Sequence, residues 1–261
     1  MKVGQPSLTA RGVALARSRL IRPQTPEGDP EAEQRLYAGL SSPLAGRGRG
    51  RWGSGGGGRH FMAARTAFLD EGTLRAVTSG VSQVVIVGAG YDGRALRFRH
   101  PGVRFFELDH PATQADKQRR LEALGVPLDN LTFVAIDLMS DRVDAALARA
   151  GQSGDVPSLF ICEGLIRYLS RVAVDRMLTG LRSRAARGSR LLLTASESTG
   201  REIRVARQIG LAVIGEPMRS HFEVGEVARV LVRSGWSIDG ERRRSETGGR
   251  QRLLIAALTA A

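Results

Sequence analysis

Residues 84–93 read VVIVGAGYDG, a β-branched apolar run that stops in a turn carrying three glycines. A run of that kind is a strand buried on both faces, and Gly88 and Gly90 mark a turn through which only bare backbone passes. A second apolar run, 103–108, carries Glu107 and is followed by Asp109. A tight glycine turn after one strand and a carboxylate after the next is how a doubly wound parallel sheet holds a nucleoside. Further apolar runs follow at 131–136, 157–162 and 190–195, with two more strand candidates at 236–241 and 252–258. Polar stretches of helical length separate most of them. Continuous rather than alternating apolar runs predict an α/β fold: a mostly parallel sheet of seven strands with helices on both faces.

Before that core, the spacing predicts a short amphipathic helix over 7–22 and a second one opening at Asp29-Pro30, with acids in its first turn. The run 42–59, SPLAGRGRGRWGSGGGGR, is too glycine-dense for regular structure on propensity. Two parts are therefore expected: an N-terminal helical lid with its Gly/Arg-rich loop over 1–59, and a core over 60–261 that begins with a helix over 60–80. A helix is also expected over 225–235.

The net charge of +13 is carried by arginine, since Lys2 and Lys117 are the only lysines. The arginines are read as solvated helix charges. No basic run is interleaved with aromatic residues, so nucleic acid is not the expected partner. No apolar run approaches the ~20 residues of a membrane span, and the first residues lack a signal-peptide core, which makes a cytoplasmic protein the expectation. The single cysteine, Cys162, excludes an internal disulfide framework and a clustered-cysteine metal site. It falls within a strand run, where a buried structural thiol is expected, and no metal site is predicted.

The residues just after each apolar run should line the ligand crevice: Gly88 and Gly90, then Glu107 and Asp109, then Asp137-Leu138, then Glu163-Gly164. Gly88, Gly90 and Gly93 satisfy G-x-G-x-x-G, and Asp109 lies about 20 residues on, so an NAD(P)-dependent oxidoreductase is one reading. Asp92 speaks against it, because a carboxylate in the turn would repel a pyrophosphate. It would welcome the sulfonium and ammonium of S-adenosylmethionine. In that second reading Asp109 accepts from the ribose hydroxyls, Asp137 accepts from the adenine amino group and Leu138 packs on the ring. The turn at Gly88 and Gly90 admits the methionine portion, and Arg65 pairs with its carboxylate.

The pieces ARTAFLDE, QVVIVGAGYDGRALRF, FFELDHP, VAIDL, SLFICEGLIRYLS and GEPMRSHFEVGEVARVLVRSGW, in that order, resemble the leucine carboxyl methyltransferase family, in particular its bacterial branch of S-adenosylmethionine-dependent O-methyltransferases. The likeness runs over roughly 7–258. It implies a class I methyltransferase-like, Rossmann-like core that binds S-adenosyl-L-methionine. It places Arg65, Gly88, Asp109, Asp137, Leu138 and Glu163 at cofactor positions and Tyr168 facing the substrate. The implied acceptor is a carboxylate or hydroxyl of a small molecule or peptide. Members that act on carboxylates often carry an arginine after the Asp-Leu pair, where this chain has Met139; Arg142 and Arg167 are the replacements within reach. A carboxylate needs no general base, whereas a hydroxyl usually does. The candidates are His60, His110, His221 and Tyr168. Of these, His221 lies in GEPMRSHF, where the acceptor pocket is expected, and none is assigned as catalytic.

Overall fold

A computed structural model describes residues 5–40, 56–197, 216–246 and 249–257. The Gly/Arg-rich run expected to form a loop lies outside the described residues up to position 55. Its last glycines do not form a loop: the helix that follows already starts at Gly56.

Five strands form the parallel centre of the sheet. They are β1 (Gln83–Val87), β2 (Arg104–Asp109), β3 (Leu131–Ala135), β4 (Ser158–Glu163) and β5 (Arg190–Glu197). Two more, β6 (Ser237–Glu246) and β7 (Gly249–Ala257), add an antiparallel edge, in the order β3-β2-β1-β4-β5-β7-β6. The chain steps outward from β1 to β3, then crosses back to place β4 on the other side of β1. The crevice at this reversal, between the carboxyl ends of β1 and β4, is where such sheets bind ligands.

Strand side chains alternate between two cores, as a period of two requires. Val85, Val87, Phe106, Leu108, Phe160 and Leu193 pack on one face against α6 (Val143–Arg149), α7 (Arg171–Ser183) and α8 (Glu226–Arg233). The helices of the other face are α1 (Leu8–Arg17), α2 (Pro30–Ala38), α3 (Gly56–Thr78), the short α4 (Arg94–Arg97) and α5 (Pro111–Ala123). They pack on Val84, Ile86, Phe105, Leu159 and Ile161. Ala14 of α1 and Leu36 and Tyr37 of α2 belong to this second core, in one cluster with the strand residues.

Local chemistry starts these helices. Ser7 and Asp29 are side-chain N-caps, accepting from the amides of Ala10 at 3.0 Å and Ala32 at 2.7 Å, and Pro30 opens α2 with its φ preset. α3 ends at Thr78 and Gly80 follows at φ +92°, the left-handed conformation that glycine tolerates after a helix. Its glycine-rich start runs against propensity, at about 1 kcal/mol per glycine. Once tertiary packing holds the body of a 23-residue helix, each added turn needs no new nucleus.

The arginines depart most from expectation. Arg17, Arg94 and Arg97 are buried, with Arg94 at 0% exposure, where solvated helix charges were expected.

Candidate functional site

β1 ends at Val87 and the chain turns through Gly88 at φ +68° and Gly90 at φ +54°. The amides of Gly88 and Ala89 both donate to Leu108 O, at 2.8 and 3.0 Å, which fastens the turn to β2. A Cβ on Gly90 would lie 2.6 Å from the Ala10 Cβ, so α1 rests directly on bare backbone here. Asp109, at the end of β2, faces the same turn. Its Oδ2 accepts from Gly90 N at 2.5 Å and its Oδ1 from His110 N at 2.6 Å. Burial raises its pKa above the ordinary carboxylate value, and the two backbone hydrogen bonds work against that rise. Each oxygen keeps a second lone pair.

Asp92 is not the open carboxylate expected from sequence. Its Oδ1 accepts from Arg94 N, the first amide of α4, at 2.8 Å, and its Oδ2 pairs with Arg94 Nη1 at 2.5 Å and Arg17 Nη1 at 3.2 Å. Burial alone would raise its pKa, but Arg94 and Arg17 hold it below the usual range. The helix N-terminus that a dinucleotide pyrophosphate would occupy is therefore already taken by an anion. For the same reason Asp92 has no charge left over for a sulfonium.

Glu163, at the end of β4, is met by three guanidiniums: Arg17, Arg94 Nη1 at 2.9 Å and Arg65 Nε at 2.8 Å. Burial raises the Glu163 pKa, and the three arginines overcome that and hold it far below the usual range. The network continues inward: Arg94 pairs with Asp70, Arg22 with Asp70 and Glu33, and Arg97 with Glu33. Five guanidiniums (17, 22, 65, 94, 97) thus meet four carboxylates (33, 70, 92, 163), which leaves one positive charge in excess. Arg65 is the most exposed of the five, at 10%, and carries that excess toward the crevice. Its pKa is lowered, first by burial and then by Arg17, Arg167 and Arg94 nearby, with Glu163 opposing.

The ends of β1–β4 and helix α1 enclose a cavity of about 490 Å³, within the ~300–1,000 Å³ usual for small-molecule sites. Arg65, Gly88, Gly90, Asp109, Asp137, Leu138, Glu163 and Tyr168 all line it. Asp137 follows β3 in a tight turn, its Oδ1 accepting from Met139 N at 2.9 Å. Leu138 is buried beneath it in the first core. Tyr168 sits on a 3-10 turn, Ile166–Tyr168, and burial raises its phenol pKa. His221 does not join them. Ser220 Oγ donates to Ile166 O at 2.8 Å and Phe222 is buried, so this part of the segment packs on the fold. From the same stretch Glu216, Pro217 and Arg219 reach the cavity instead.

Of the other base candidates, His60 does not line the cavity and His110 does. Arg167 and Met139 both line it. Arg142 does not: it is exposed and paired with Asp144. Glu107 points away from the cavity into a buried pair with Lys117. Cys162 is fully buried, its thiol pushed up to about 12 by burial. Among the described residues no cluster of three His, Cys, Asp or Glu is arranged to hold a metal, and no helix is long and apolar enough to cross a membrane.

Sequence reasoning missed Arg17, Arg94 and Glu216. Arg17 comes from α1, which lies over the crevice and, with its N-cap Ser7, also contributes Thr9 and Val13 to the cavity wall. Glu216 Oε1 caps that helix, accepting from Leu8 N at 2.7 Å and Thr9 N at 3.4 Å. Arg94 and Glu216 stood within the recognised stretches GYDGR and GEPMRSHF, but charges read one at a time look solvated.

The family described as leucine carboxyl methyltransferase matches residues 17–182. A relative in Mycobacterium bovis, named as a candidate S-adenosyl-L-methionine-dependent methyltransferase, is 34% identical over 194 residues, covering 71% of this chain and 62% of that protein. One in Streptomyces coelicolor with the same description is 42% identical over 136 residues, covering 51% of this chain and 47% of that protein. The chain thus spans less than two thirds of the length of these curated relatives. Among solved structures, a candidate methyltransferase from Thermobifida fusca superposes with a TM-score of 0.63 at 17% identity, over 99% of this chain and 97% of that one. Magnesium protoporphyrin IX methyltransferase from Synechocystis, solved with S-adenosylhomocysteine, superposes with a TM-score of 0.54 at 17% identity, over 82% of this chain and 93% of that one. Those two likenesses establish an α/β methyltransferase fold. The match over residues 17–182, more than half of the chain, establishes that it belongs to the leucine carboxyl methyltransferase family.

Proposed function

We propose that this protein is an S-adenosylmethionine-dependent O-methyltransferase whose acceptor is a carboxylate of a small molecule or peptide. The observation that carries the reading is the crevice floor: a glycine turn, Asp109 with a free lone pair on each oxygen, and an arginine–carboxylate network with one positive charge to spare.

That donor set fits the cofactor. Arg65 offers a guanidinium to its carboxylate, Asp109 accepts from the ribose hydroxyls and Asp137 from the adenine amino group, and Leu138 backs the ring. Gly90 lets the backbone approach without a side chain. Held by these residues, S-adenosylmethionine would supply a methyl carbon activated by its sulfonium, with the thioether as the leaving group for an acceptor oxygen. The chain's own part is to hold the two reactants in line and keep water out, and α1 over the crevice serves both as a lid.

The state of the candidate bases favours a carboxylate over a hydroxyl. The Tyr168 phenol is pushed up by burial and stays protonated near neutral pH. Glu216 is occupied in capping α1, and His110 Nδ1 accepts from Ala112 N. A carboxylate needs none of them, and Arg167 and Arg219 on the cavity wall complement its charge.

Calorimetric titration with S-adenosylhomocysteine beside NADH tests the cofactor. The former is expected to bind, and Asp109→Ala to weaken it at least 10-fold. Saturable binding of NADH alone would overturn the reading. Transfer of a labelled methyl group to a panel of carboxylates and alcohols tests the acceptor. A methyl ester releases methanol in mild base, and a base-stable product would replace the carboxylate with a hydroxyl.

A further inference from the structure

His110 stands immediately after Asp109 and is the N-cap of α5, with its Nδ1 accepting from Ala112 N at 3.3 Å. A ring nitrogen that accepts an amide hydrogen carries no proton of its own, so the proton of the neutral imidazole sits on Nε2. Nδ1 and Nε2 lie on different edges of the ring, and His110 lines the cavity beside Asp109. Asp109 and Asp137 can only accept hydrogen bonds, whereas a nucleoside also presents acceptors of its own in its ribose oxygens and purine ring nitrogens.

We infer that His110 is a cofactor-binding residue whose Nε2–H donates to an acceptor atom of the nucleoside, while the capping bond at Nδ1 fixes both the tautomer and the direction of the ring. This rests on the S-adenosylmethionine reading and adds the donor that its two carboxylates lack. It also removes His110 from the general-base candidates, since its basic nitrogen is held by the helix.

Asparagine and glutamine separate the two nitrogens, because an Asn side chain places an oxygen near Nδ1 and a Gln side chain places an amide near Nε2. The variants His110→Asn and His110→Gln would be titrated with S-adenosylhomocysteine beside the wild type, and their thermal unfolding measured. His110→Asn keeps a good N-cap and loses the distal donor: its melting temperature should match the wild type while its Kd rises about 3–10-fold. His110→Gln keeps a donor and loses the cap: it should melt about 2–4 °C lower and bind within about 2-fold of the wild type. Wild-type affinity in His110→Asn would overturn the inference and leave the cofactor reading standing. Equal loss of affinity in both variants would also overturn it, since the ring itself would then be what is recognised. Failure of the wild type to bind S-adenosylhomocysteine would remove both readings together.

Discussion

Asp70 and Arg22 form a matched pair of perturbations on the buried network. Asp70 accepts from Arg22 Nε at 2.6 Å and Arg94 Nε at 2.9 Å, and Arg22 bonds to Asp70 and Glu33. Neither lines the cavity, and each partner left behind keeps another counter-ion. The two substitutions differ in what they do to the charge balance. Asp70→Asn leaves five guanidiniums facing three carboxylates, so the buried excess doubles. Arg22→Met leaves four facing four and keeps an apolar stem of similar length. Leaving a buried charge uncompensated costs about 3–5 kcal/mol, whereas losing hydrogen bonds to charged groups with the balance restored costs about 1.5–3 kcal/mol. At about 2–4 °C per kcal/mol for a chain near this size, Asp70→Asn should melt roughly 6–20 °C below the wild type and Arg22→Met clearly less. Urea and thermal unfolding followed by circular dichroism read both. If Arg22→Met proves as damaging as Asp70→Asn, or Asp70→Asn lies within about 1 kcal/mol of the wild type, the charge-counting argument is wrong.

Two further outcomes follow from particular contacts. Gly90→Ala forces an L side chain into φ +54° and a Cβ to 2.6 Å from Ala10, so α1 must lift. S-adenosylhomocysteine affinity should fall at least 10-fold and limited proteolysis near residues 8–17 should quicken; unchanged cutting would show that α1 is not seated by the glycine. The Glu107 carboxyl is pushed up to about 7 by burial, against the pull of Lys117. Because its folded value lies above the unfolded one, its contribution to stability is complete below about pH 4.5 and is lost as pH rises toward 7, by up to about 3 kcal/mol. Glu107→Gln should flatten the pH dependence of stability over that window, and parallel wild-type and variant curves would refute the shift.

Much of the crevice was legible because its signals are local. A continuous β-branched run followed by Gly88 and Gly90 needs no tertiary information to read as a buried strand and a bare turn. The acids that close the neighbouring strands inherit their place from the same periodicity. Asp109, Asp137 and Glu163 are therefore set at one end of one sheet by the sequence pattern alone. His221, which does not line the cavity, stands where periodicity stops. It lies in a connecting stretch, and which of its residues turn inward depends on packing against Ile166 and Phe222.

The sequence by itself determined the parallel sheet and the residue types at the strand ends, since these follow from hydrophobic pattern and backbone sterics over a few residues; the strand order, with its reversal beside β1, came from the structure. Only the tertiary structure decided that Arg17, from a helix nearly 150 positions before Glu163, completes the crevice floor, that Asp92 is spent on a helix N-terminus and two arginines, and that α1 rests on Gly90. The physical reason is that an arginine has the same local propensities whether it is solvated or buried. What separates the two cases is the arrival of carboxylates from distant elements at distances near 3 Å, and no local rule encodes that meeting.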